Sequence, residues 1–114
     1  MSKLCLVLQR SINEPSFSER ALRFAGQAVR AGHELNCVFF YRQSVDHARN
    51  NLNANGKALQ QQWQSFSQQH QVPLIVCHTV AERLDINDFA EGFEDSGLTA
   101  LVAAMAEADR TLQF

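Results

Sequence analysis

ALRFAGQAVRAGHELNCVFFY, residues Ala21–Tyr41, changes period half-way along, and that change decides the fold. In the first half Ala21, Leu22, Phe24, Ala25, Ala28 and Val29 recur at the spacing of a helix with one apolar face. Gly32 then stops it, because glycine adopts without penalty the left-handed backbone that follows many helix ends. The second half, Leu35–Tyr41, is a short apolar run rich in strand formers and reads as a strand buried on both faces. Upstream, Leu4–Leu8 is another such run, closed by Gln9 and Arg10. Strand, helix, glycine stop and strand make a βαβ unit with parallel strands and a right-handed crossover.

Outward from this unit the alternation continues. Ser11–Ser16, broken by Pro15, reads as a loop, with Ser16 or Ser18 as the helix N-cap. After Arg42 the chain turns polar, and Asn50, Asn51, Asn53, Asn55 and Gly56 mark a second loop. A helix is expected from Lys57 to about Gln69, burying Leu59, Trp63 and Phe66 behind a glutamine-rich face left to solvent. Leu74–Cys77 reads as a strand, Thr79–Leu84 as a short helix, and Ser96–Thr99 as the start of a last helix. In that helix Leu101, Val102, Met105 and Ala108 are expected to face inward. Thr111–Phe114 reads as the closing strand. The expected fold is α/β: a three-layer, flavodoxin-like arrangement around a parallel sheet of four or five strands, the fifth near Gly92-Phe93.

The 114 residues suit one domain, 1–114, with 46% hydrophobic and 19% charged residues. A net charge of -2 without any basic cluster argues against direct nucleic-acid binding. The apolar start is too short for a signal peptide, and nothing approaches the roughly 20 apolar residues that span a bilayer. A cytoplasmic protein is expected. Its three cysteines, Cys5, Cys37 and Cys77, are odd in number and lack a CxxC pair, which suits neither a disulfide framework nor a zinc site.

In a parallel sheet, reactive groups gather beyond the carboxyl ends of the strands. The loop after Leu8, the loop after Tyr41 and the turn after Val76 qualify. Cys5 and Cys37 lie inside strands and read as small core residues. Cys77 closes a strand just before a helix, where unpaired N–H groups favour an anion. A buried thiol and a working thiolate both remain open readings of it. His78 adjoins it, and Arg83 would point back if the turn is tight. His33 reads as a surface turn residue, and His47 and His70 have no partner at metal-ligand spacing. Asp46, Asp85, Asp88, Glu91, Glu94 and Asp95 read as solvated charges, the last five as an inert surface or a docking rim. No GxGxxG, P-loop or serine elbow occurs.

Several segments in order carry a family likeness. They are Ala31-Gly32-His33-Glu34-Leu35, Val38-Phe39-Phe40-Tyr41-Arg42, Ile75-Val76-Cys77, Gly92-Phe93, Ser96-Gly97-Leu98 with Leu101, Asp109-Arg110 and Gln113-Phe114. Together they resemble the DsrE/TusD family of sulfur-relay subunits from Leu4 to Phe114. The resemblance implies a flavodoxin-like fold and a sulfurtransferase without metal or cofactor. In it Cys77 accepts sulfane sulfur as a persulfide from a donor protein and passes it to an acceptor protein. The relay would serve tRNA 2-thiouridine formation or sulfur oxidation, in a homo-oligomer or a heterohexamer with related small subunits. The rival expectation is a non-catalytic structural subunit. Three departures surround the thiol: the segment before Gly92-Phe93 is short, polar His78, Thr79 and Glu82 follow Cys77 where small apolar residues are expected, and Asp85 stands where the family has glycine.

Overall fold

The computed structural model describes residues 2–114. Along the chain run β1 (Lys3–Leu8), α1 (Pro15–Arg30), β2 (Glu34–Phe40), a 3-10 segment (Arg42–Ala48), α2 (Ala54–His70) and β3 (Leu74–Cys77). There follow α3 (His78–Arg83), β4 (Phe93–Ser96), α4 (Leu98–Glu107) and β5 (Arg110–Gln113). One sheet holds all five strands in the order β4-β3-β2-β1-β5, each neighbouring pair parallel. The expected fifth strand is therefore present, as β4.

Helix starts differ from the sequence expectation for local reasons. Pro15 takes the first position of α1, where its missing N–H costs nothing, so neither Ser16 nor Ser18 is the cap. At α2 the Asn53 side chain accepts from the Gly56 N–H at 2.8 Å. The asparagine-rich loop thus supplies the cap, and the helix begins at Ala54 rather than Lys57. Gly32 has φ +91, and the Gly32 and His33 N–H groups close on Val29 and Ala28 as a glycine stop should.

Leu6, Val38, Phe39, Phe40, Leu74 and Val76 are wholly buried, and Trp63 of α2 sits edge-on to Phe40 at 5.7 Å. Chain direction sets the layers. From β1 to β4 each step moves the same way across the sheet, and α1 and α2 pack together on one face. The return from β4 to β5 reverses that direction, so a right-handed crossover lays α4 over the opposite face, against β1 and β2. There the Asn36 amide donates to the Ala104 carbonyl at 2.8 Å, from a bulge where β2 carries an extra residue against β1.

The outward side of α4 corrects one expectation. Leu101, Ala104 and Ala108 pack toward the core, whereas Val102 is 65% exposed and Met105 42%. The sequence LTALVAAMAE is apolar nearly all round, so its period carries no polar face to orient it.

Candidate functional site

The three strand ends singled out from sequence line one cleft of about 630 Å³. Gln9 and Arg10 follow β1, Tyr41 and Arg42 follow β2, and Cys77 ends β3. Arg83 of α3 also lines it, as a tight turn after Cys77 requires, and Leu98 at the start of α4 adds an apolar lip. Cys77 is 1% exposed, so the thiol lies at the cleft's floor rather than on an open rim. It is the N-cap residue of α3 and pairs with Ser96 across the sheet edge. Three guanidiniums and no carboxylate are among the cleft's lining residues. A groove of similar size between α1 and α2 has three glutamines, Gln61, Gln62 and Gln69, in its wall and no cysteine.

His78 turns away from the thiol. Its Nδ1 meets the Asp95 carboxylate at 2.8 Å and its Nε2 meets Glu82 at 2.8 Å, tying α3 to the end of β4. Asp95 first, then Glu82, raise the pKa of this exposed imidazole above the ordinary histidine value. Cys5 and Cys37 face each other across β1 and β2 at 3.6 Å as free, buried thiols. The Cys5 thiol first, and burial second, push Cys37 upward. Among the described residues no group of three or more His, Cys, Asp or Glu is placed to hold a metal ion.

A buried polar chain anchors the segment that carries the cleft's wall. Trp63 Nε1–H donates to Ser18 Oγ at 2.8 Å. The Ser18 hydroxyl, having accepted there, donates to His47 Nε2 at 2.8 Å, and His47 Nδ1–H donates to the Ser44 carbonyl at 2.7 Å. Tryptophan can only donate and a carbonyl only accept, which fixes the neutral Nδ1–H form of His47. Burial holds His47 down to about 4, against its Ser44 bond. Beside it, Asp46 accepts from the Ser11 hydroxyl and from the Ile12 N–H at 2.9 Å. Burial raises this carboxyl above the usual range despite those bonds.

Asp46 is thus a buried strap across the loop after β1, correcting its reading as a solvated charge. Gln60, on the face expected to be solvated, is buried too and donates to the His47 and Arg49 carbonyls at 2.7 and 2.8 Å. Local sequence offered no signal for these roles, because each partner arrives from a distant element.

The sequence profile of the DsrE/DsrF-like family matches residues 2–114. The chain belongs to that family. It is 35% identical to sulfurtransferase TusD of Sodalis glossinidius, with 96% of each chain covered. To sulfurtransferase TusD of Klebsiella pneumoniae it is 38% identical, over 82% of this chain and 85% of that one. A TusD homolog of Vibrio vulnificus is 32% identical, over 96% of this chain and 95% of that one. Among solved structures the YchN protein of Escherichia coli superposes with a TM-score of 0.78 over the whole of both chains, at 21% identity, which bears on the fold alone.

Two places singled out near the thiol have definite local structure. Asp85 takes a left-handed backbone at φ +59. The segment from Leu84 to Gly92 is tied down at Ala90, whose N–H donates to the Ala48 carbonyl at 2.8 Å, and at Asp88, whose carbonyl takes the Asn50 amide at 3.1 Å.

Proposed function

We propose that the protein is a sulfurtransferase of a sulfur relay, carrying sulfane sulfur on Cys77. The observation behind this reading is the placing of one cysteine, alone of the three, at the floor of the cleft formed by three strand ends. The names of the TusD relatives point the same way.

In the loading step the Cys77 thiolate attacks the outer sulfur of a donor persulfide, R–S–SH. A new S–S bond forms at Cys77, the donor's S–S bond breaks, and the donor leaves as the thiolate R–S⁻ with the proton still on the transferred sulfur. Unloading is the same exchange, with an acceptor thiolate attacking Cys77–S–SH. Neither step changes the overall oxidation level, so the chain has to supply a nucleophile, access and a docking surface.

Free-thiol chemistry suits the reducing cytoplasm. Assembly with further copies or related subunits is supported by the outward stripe Leu98, Val102 and Met105, spaced along one side of α4 and 42–65% exposed.

The test is intact mass after incubation with a cysteine desulfurase and cysteine. A gain of about 32 mass units per sulfur, reversed by reductant and mapped to Cys77, is expected. Cys77→Ser protein that still gains reductant-labile sulfur overturns the proposal.

A further inference from the structure

Of the seven residues in the cleft's wall that can hydrogen-bond through a charged or amide side chain or a hydroxyl, three are arginines drawn from three separate segments: Arg10, Arg42 and Arg83. This runs against the chain's net charge of -2. Arg42 and Arg83 have no carboxylate within ion-pair distance among the described residues, and Arg10 has only an exposed contact to Glu14 at 3.6 Å. The nearby acids are already engaged elsewhere: Asp95 and Glu82 on His78, Asp46 on the β1 loop.

Arg42 also adopts φ +53, a left-handed backbone that glycine or asparagine would take at lower cost. A long cation thus stands at a position that local backbone energetics disfavours.

Resting on the relay reading above, we propose that this cleft chooses its protein partner by charge. Arg10, Arg42 and Arg83 receive carboxylates that flank the partner's reactive cysteine. Arginine is suited to this because its planar fork binds a carboxylate through two parallel hydrogen bonds. A cleft of about 630 Å³ takes several residues of a polypeptide and far exceeds one small inorganic anion. Nucleic acid fits less well. Three cations make a short footprint, and exposed Asp85, Asp88, Glu91 and Glu94 follow α3 along the chain, where they would repel a polyphosphate.

The experiment uses the full chain and eight-residue peptides in which cysteine is flanked by two glutamates or by two glutamines. Sulfur-loaded protein discharges to each peptide, and the serine versions of the peptides report binding by fluorescence anisotropy. The expected result is an acidic-over-amide preference of about tenfold in both readouts, falling to about twofold near 0.5 M salt. In Arg42→Gly and Arg42→Gly/Arg83→Gln proteins the preference should shrink toward unity. Glycine suits φ +53, so Arg42→Gly should unfold at no lower urea concentration than the parent.

Equal binding of the two peptides by the parent overturns the proposal, as does a preference that survives both substitutions. Displacement of the acidic peptide by unmodified tRNA at a lower concentration than by the peptide itself overturns the choice of a polypeptide. Should Cys77 fail to load, the relay reading falls, while the anisotropy preference still decides the charge reading.

Discussion

Acidification should weaken this fold chiefly through His47. That imidazole is completely buried, and its two nitrogens are committed to Ser18 and the Ser44 carbonyl. Asp46 Oδ1 lies 3.6 Å from Nδ1, beyond hydrogen-bond distance, and burial outweighs what the Ser44 carbonyl returns on protonation. The folded pKa is about 4, against 6.5 for the free side chain. Between those values the unfolded chain holds a proton that the folded chain refuses. The stabilisation is therefore complete above pH 6.5 and is lost as pH falls toward 4.

Its full size is about 3 kcal/mol, of which about 2 kcal/mol is gone at about pH 5. With a urea dependence of about 2 kcal/mol per molar, the unfolding midpoint should drop by about 1 M between about pH 7.5 and about pH 5. Trp63, the chain's one tryptophan and wholly buried, reports the transition by fluorescence. His78 and Asp46 work in the opposite sense. Both pKa values are raised by folding, so the stability each brings is present at low pH and lost as pH rises. His47→Gln should remove the loss or invert it, even though the variant starts from a lower midpoint. A His47→Gln protein whose midpoint falls by the same amount as the parent's would refute the assignment.

Two further outcomes test the site and its surroundings. Limiting iodoacetamide on the native protein should modify Cys77 at least about tenfold faster than Cys5 or Cys37, because Cys77 alone of the three borders the cleft; equal labelling by peptide mass mapping would sink this. Val102→Glu should leave the unfolding free energy within about 0.5 kcal/mol of the parent, since the side chain is 65% exposed, yet shift sedimentation toward smaller species. An unchanged sedimentation profile would show that α4 is not an assembly surface.

What could be read from the sequence divides according to the range of the forces involved. The βαβ unit, β3 and β5 were legible because period, glycine stop and apolar runs are written within about 20 residues. The place of Cys77 followed from them, since the end of β3 and the start of α3 are local features. The Ser18–His47–Trp63 chain was not legible. Its members lie 29 and 45 residues apart, and only the finished sheet brings α1, the 3-10 segment and α2 together. β4 was faint for a different reason. An edge strand buries only one of its four residues, Phe93, and carries Glu94 and Asp95, charges that guard the open edge while erasing the strand's alternation.

Contacts between distant elements also let the cleft combine a buried thiol with exposed cations. Tyr41, the residue just before the 3-10 segment, is held to β1 by its N–H on the Leu8 carbonyl at 2.8 Å. The loop after β1 is in turn strapped by Asp46, and the 3-10 segment is pinned to α1 and α2 through His47 and Gln60. Arg10 and Arg42 therefore project from backbone that is fixed by buried polar contacts, although their own side chains meet solvent. The guanidiniums rest over neighbouring rings, Arg10 on Phe17 at 4.7 Å and Arg42 on Tyr41 at 5.8 Å, so exchanging these exposed contacts for a carboxylate leaves the strand ends in place. On that account, loosening the buried chain at Ser18 or His47 should weaken partner choice before it touches the chemistry of Cys77.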